Sequence, residues 1–113
     1  MAKLPRAFET FRRRFPSVHR AYEALGGAAH EAGPLDPKTR ELVKLGIAIG
    51  LRAEGAVRSH AGRAHEAGAT RQEIEHVVLL ALTTAGLPAA VAAFTWLEGG
   101  RPRGRRQARR TRR

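Results

Sequence analysis

The chain has 113 residues, 42% of them hydrophobic, with 5% aromatics, no cysteine and a formal net charge of +11. Many of the apolar residues are alanine, so one small domain is expected, with a core short of large side chains that self-association would complete. The lack of cysteine excludes disulfides, thiolate metal sites and cysteine redox chemistry, and the low aromatic content argues against a base-stacking nucleic-acid platform.

Residues 1–5 read as a frayed start. Residues 7–15 suit a short helix, because Phe8, Phe11 and Phe15 recur at spacings of three and four. Arg12, Arg13 and Arg14 lie between them, as a solvated basic face or as a contact for nucleic acid or an acidic partner. Pro16 fits the first turn of a second helix. Val18, Ala21, Tyr22 and Leu25 supply its apolar stripe. Gly26-Gly27 should loosen this helix, and Gly33-Pro34 should end it. His19 and His30 read as surface or packing residues.

Asp36-Pro37 is a start signal, with Asp36 as N-cap and Pro37 at the first helical position. The helix they open should run to about Leu51. Leu42, Leu45 and Ile49 lie on one side, with Val43, Ile47 and Gly50 nearby, so it should be buried over most of its circumference. Gly46 and Gly50 expose backbone for close helix approach, or merely loosen the helix. The run from Arg52 to Gly55 breaks the pattern. A helix resumes over residues 56–67, where Ala56, His60 and Ala64 share one face. Thr70 and Glu73 form a capping box for a helix over residues 71–85, whose apolar face carries Ile74, Val77, Val78, Leu80, Ala81 and Leu82. Gly86-Leu87-Pro88 ends it, and residues 89–97 form a last short helix. No strand-type alternation persists, so the expected fold class is an all-α bundle of five or six helices plus a tail.

From Arg101 to Arg113 there are eight arginines and no acid, which leaves only +3 on the preceding residues. Residues 1–100 therefore read as the helical domain and residues 101–113 as a disordered Arg-rich tail. The tail is either a solubilising extension or a salt-dependent, non-specific nucleic-acid contact; it has no recognition-helix pattern. No signal-peptide pattern opens the chain, and the longest apolar runs are too short to span a bilayer. A cytoplasmic location and no membrane partner are expected.

Glu41 and His60 are the candidate chemistry. A carboxylate on a mostly apolar helix costs free energy unless it is paired. An imidazole can move protons at neutral pH, and a carboxylate can orient it. The same pair could instead be structural, joining two helices. Metal binding is not expected: His60 and His65 do not share a helical face, and no carboxylate cluster completes a site with them or with His76.

From Phe15 to Leu97 the sequence resembles the carboxymuconolactone decarboxylase family, which includes peroxidases of the alkyl hydroperoxide reductase D type (the AhpD-like fold). The resemblance rests on L-D-P-K-T-R-E-L-V at 35–43 and A-E-G-A-V-R-S-H at 53–60. The pattern A-x2-A-G-A-T-x2-E-I-x2-V at 64–77 and the run A-G-L-P-A-A-V-A-A-F at 85–94 extend it. The peroxidase members carry a glutamate, two cysteines and a histidine at the spacings of Glu41, Ala53, Ala56 and His60. Both thiol positions are therefore alanine here. A dithiol peroxidase needs one thiolate to attack peroxide and a second thiol to resolve the sulfenic acid, so that activity is excluded for this chain.

The decarboxylase branch lacks those cysteines and keeps the histidine. Its resemblance implies a cofactor-free lyase acting on a small carboxylated lactone or related anion. His60 would be the acid/base and Glu41 its orienting partner, with Glu54 as a second acid/base. Arg52 and Arg58 would hold substrate carboxylates, although an exposed hinge with surface ion pairs is the plainer reading of Arg52, Glu54 and Arg58. The resemblance also implies a homo-oligomer, a trimer or a hexamer. The alternative to an enzyme is a non-catalytic oligomeric scaffold or small-molecule binder of the same fold.

Overall fold

The structure is a computed structural model and describes residues 6–99. Six α-helices follow one another in it: α1 (Arg6–Arg14), α2 (Pro16–Glu31), α3 (Pro37–Gly50), α4 (Glu54–Glu66), α5 (Arg71–Thr84) and α6 (Leu87–Gly99). Among the described residues there is no strand. The Arg-rich tail and the frayed start expected at the two ends lie outside the described residues.

Helices α3–α6 form the packed body. Its core joins Leu45, Ala48 and Ile49 of α3 to Val57 and Ala61 of α4, Val78 and Ala81 of α5, and Ala89, Ala90 and Ala93 of α6. Leu45, Ile49 and Val57 are the largest side chains that are fully buried. The rest of the core is mainly alanine, and small side chains let helix backbones approach closely. At Gly46 a Cβ would meet the Val77 side chain of α5 at 3.6 Å, an ordinary packing contact, and at Gly50 it would meet nothing, so neither position requires glycine for helix approach.

Local signals set the helix ends. Asp36 accepts a 2.8 Å hydrogen bond from the Thr39 amide at the start of α3. Thr70 and Glu73 form the full capping box of α5, with bonds of 3.0 and 2.9 Å. Two helices end in the same pair of reversed bonds. After α4, the Ala69 amide reaches the Ala64 carbonyl and the Gly68 amide reaches that of His65. After α3, Ala53 reaches Ala48 and Arg52 reaches Ile49. This Schellman arrangement needs a left-handed residue just past the cap. Gly68 supplies it at φ 104°, and Arg52 supplies it at φ 57°.

Two expectations are corrected. Gly26-Gly27 does not loosen α2, which stays helical to Glu31. Each glycine costs about 1 kcal/mol of helix propensity relative to alanine but removes no backbone hydrogen bond. Nor is α3 buried around most of its circumference. Only Glu41, Leu45, Ala48 and Ile49 are buried, while Val43 and Ile47 are 47% and 57% exposed. One side of α3 faces α4, α5 and α6; on the other, Val43 and Ile47 stay exposed among the described residues.

Helices α1 and α2 form an arm with no buried residue. Its order comes from rings: Phe8 and Phe11 set their ring centroids 5.7 and 6.4 Å from His19, edge to face. The arm is tied to α3 by polar contacts. Arg40 donates to the His30 carbonyl at 2.8 Å, and Lys44 donates to His30 Nε2 at 2.7 Å.

Candidate functional site

Glu41 lies one turn into α3, on the same stripe as Leu45. The stripe turns toward α4, so the carboxylate is carried inward with the apolar residues and Glu41 is only 7% exposed. His60 sits midway along α4, between Ala56 and Ala64 on its face. Its Nδ1 lies 2.8 Å from Glu41 Oε1, with side-chain exposures of 19% and 10%. A carboxylate only accepts, so Nδ1 carries the proton toward Glu41. Nε2 is then the nitrogen left for proton exchange. This solves the problem of a carboxylate on an apolar stripe, because its charge is met by a directed hydrogen bond.

Ala53 and Ala56 stand at the mouth of the same α3–α4 junction, both half-buried. Ala53 is the N-cap of α4 and has no side chain with which to cap it. The residue before it is Arg52, exposed and left-handed. A non-glycine residue in that region costs about 1–2 kcal/mol, so the turn holds Arg52 against a local preference.

Glu54 and Arg58 are brought to each other, not to the pair. Arg58 donates to Glu54 Oε2 at 2.8 and 3.2 Å, one turn apart on the exposed face of α4. Arg58 is two residues from His60, a spacing that puts side chains on different faces of a helix. Reading the sequence missed the His30–Lys44 contact. It also missed Arg40, whose Nε is buried without a hydrogen-bond partner. No spacing rule links His30 to Lys44, since a loop separates their helices.

Among the described residues no group of three or more His, Asp or Glu side chains is placed to hold a metal ion. No helix there is long and apolar enough to cross a membrane.

The sequence model described as the carboxymuconolactone decarboxylase family matches residues 16–99. The chain belongs to the carboxymuconolactone decarboxylase family. It is a member without cysteine. A crystal structure of the apo form of a carboxymuconolactone decarboxylase family protein from Legionella pneumophila is similar, with a TM-score of 0.70 and 27% identity. The match covers 82% of this chain and 86% of that one. An uncharacterized protein of Haemophilus influenzae is 41% identical over 59 residues. That alignment takes in 52% of this chain, and the chain spans about half the length, 52%, of this curated relative. The family match begins at Pro16, so it takes in α2 and all of the packed body and leaves out α1.

Proposed function

We propose that this family member is a cofactor-free lyase whose Glu41–His60 pair performs acid–base chemistry on a small carboxylated lactone or related anion. The observation that carries the reading is the 2.8 Å contact between His60 Nδ1 and Glu41 Oε1 at a largely buried helix junction. In such a reaction the C–C bond to a substrate carboxylate breaks and carbon dioxide leaves. The electron pair passes into a dienolate on the lactone carbonyl. The proton on His60 Nε2 is then delivered to carbon, and solvent restores it. Glu41 holds the ring in one tautomer and stabilises the imidazolium before transfer.

Arg52, exposed at the turn just before Ala53, is the arginine proposed to hold a substrate carboxylate. Arg58 would have to leave Glu54, and an exposed ion pair of this kind is worth only about 0–1 kcal/mol. Glu54 would then be free as the second acid/base. Because Arg58 points away from its own His60, it fits better a site completed by another copy. The exposed Val43, Ile47, Leu79, Leu80, Leu87 and Val91 support homo-oligomer formation, with a trimer or hexamer as the form to look for. The Arg-rich tail is proposed only as a salt-dependent, non-specific nucleic-acid contact.

The test is turnover of carboxymuconolactone by the full chain, followed by carbon dioxide release, beside His60→Asn and Glu41→Gln. The reading expects His60→Asn to lose at least about 100-fold in kcat and Glu41→Gln to lose less. It is wrong if the folded wild-type chain releases no carbon dioxide, or if His60→Asn matches it. The pairing of Arg58 with Glu54 instead of with a site favours a second reading, a non-catalytic oligomeric scaffold or small-molecule binder. An assembled, folded and inert wild-type chain would be its signature.

A further inference from the structure

The joint between α2 and α3 holds two cations that no carboxylate answers. Arg40 and Lys44 stand one turn apart on α3, and both reach His30 at the end of α2. Arg40 spends Nη1 on the His30 carbonyl at 2.8 Å, and Lys44 spends one N–H on His30 Nε2 at 2.7 Å. Both side chains are half-buried. Among the described residues, neither forms an ion pair. Asp36, one turn before Arg40, caps α3 through Thr39 and feels Arg40 only as the weakest of the influences on its carboxyl. Glu31, beside His30, is exposed. What is left over is a set of donors. Lys44 keeps two N–H groups. Arg40 keeps the edge formed by Nε and Nη2, and Nε is buried with no acceptor at all. A buried donor without an acceptor costs free energy, and in a native protein it calls for a water or an ion.

We propose that this joint binds a small oxyanion of the phosphate type. The Nε–Nη2 edge of a guanidinium is a planar fork that matches two oxygens of one anion. A small outward turn of the Arg40 side chain offers that fork to the ion and ends the isolation of Nε. Lys44 supplies the second charge from one turn along the helix. A phosphate has oxygens in more than one plane, so it meets the fork and the ammonium together. A carboxylate has only two oxygens for the same donors. A water satisfies one donor and leaves both charges unanswered. The site shares no residue with the Glu41–His60 pair, so it stands or falls independently of the lyase reading.

Amide NMR of the full-length protein, titrated at fixed ionic strength and about pH 8, where phosphate is mostly a dianion, tests this. Site-resolved shifts are needed because the eight arginines of residues 101–113 also attract phosphate. Inorganic phosphate is expected to shift the amides of His30, Arg40 and Lys44 saturably, with a Kd of about 1–10 mM. The Arg40 Nε–H resonance should move downfield as it gains an acceptor. Phosphate should bind at least about threefold more tightly than acetate and about tenfold more tightly than chloride. Glycerol phosphate separates two sources of the same group: binding tighter than inorganic phosphate assigns the site to a phosphomonoester, and binding no tighter assigns it to the free ion. Lys44→Gln keeps a donor for His30 Nε2 but loses the charge, and should weaken phosphate by about threefold to tenfold. Arg40→Lys keeps the charge but loses the fork, and should erase the preference for phosphate over acetate. Arg20→Gln removes an exposed arginine elsewhere on α2 and should leave the Kd at the joint within about twofold. No saturable shift at the joint up to about 50 mM phosphate, binding no tighter than chloride, or equal losses in Arg20→Gln and Lys44→Gln overturns the proposal and leaves a water as the partner of Arg40 Nε.

Discussion

Helices α3–α6 bury Leu45, Ile49 and Val57 completely, whereas α1 and α2 bury nothing. Both regions are helical, and both have amphipathic sequence. The difference is what each apolar stripe meets. The α3 stripe meets three other helices, so Leu45 is lost to solvent and even Glu41 is carried in. Among the described residues the α2 stripe of Val18, Tyr22 and Leu25 stays largely uncovered, with all three more than half exposed. A helical period in a sequence therefore fixes which residues share a face, not whether that face is covered. Coverage in the body follows from the short connections that fold four helices onto one another. The arm instead hangs on His30, Arg40 and Lys44, and on rings packed within itself.

The largest predicted effect breaks the body. Leu45→Ala should cost about 2–5 kcal/mol in denaturant unfolding, because the alanine-rich surroundings have little bulk with which to refill the space. Tyr22→Ala, at 58% exposure, should cost less than about 0.5 kcal/mol in a single chain. A Tyr22→Ala cost above 1 kcal/mol that falls away on dilution would show that another copy covers the arm. The contrast between the two regions would then belong to the isolated chain alone.

Much of this was legible in the sequence where the cause is local. Asp36-Pro37 and the Thr70–Glu73 box needed only neighbouring residues, and both caps form as their chemistry dictates. The Gly68 turn is equally local. Glu41 and His60 could be singled out because a carboxylate on an apolar stripe needs a partner and an imidazole on a small-residue helix could supply one; the family spacing added weight to that pair. What stayed hidden depends on tertiary placement. The exposure of Val43 and Ile47 and the meeting of His30 with Lys44 both need the arrangement of whole helices. Glu54 and Arg58 are the reverse case. Their i,i+4 spacing already favours a mutual ion pair, and the structure has them paired.

The next effect runs in the opposite direction. Arg52 and Gly68 occupy equivalent places in two Schellman turns, but only one of them is a glycine. Arg52→Gly should stabilise the chain by about 1 kcal/mol, since it removes the Cβ cost of a left-handed residue. If Arg52 holds a substrate carboxylate, the same variant should raise KM for that substrate. Thermal unfolding and steady-state kinetics on one variant thus separate the turn's need from the site's. A gain in stability without a change in KM would remove Arg52 from the site.

A smaller effect touches the arm alone. His30→Ala deletes the acceptor for Lys44 but keeps the backbone carbonyl that accepts from Arg40. Amide exchange should accelerate in α1 and α2, by about fivefold for the loss of roughly 1 kcal/mol of tethering. Exchange in α3 to α6 should hold its rate. Equal acceleration in both regions would mean that the arm and body open together, and the distinction between them would fail.

The smallest effect concerns the two caps of the body. The Asp36 carboxyl is held below its ordinary value first by the Thr39 hydroxyl and then by the Thr39 amide. The Glu73 carboxyl is held down first by the Thr70 amide and then by Lys38, whose Nζ lies 3.1 Å away. A carboxylate with a depressed folded-state pKa stabilises the fold fully above its unfolded value. That contribution disappears as pH falls through the folded value. Stability should therefore decline below about pH 4, and these two groups should account for part of the slope. Asn is as good an N-cap as Asp, so Asp36→Asn should leave the neutral-pH melting temperature nearly unchanged and flatten the acid limb. Glu73→Gln should flatten it as well, with some loss at neutral pH because the Lys38 charge pair goes with it. Melting curves between about pH 6 and pH 3 measure both. If Asp36→Asn keeps the wild-type acid slope, the caps hold their geometry without storing pH-dependent stability, and the acid response must come from other carboxylates.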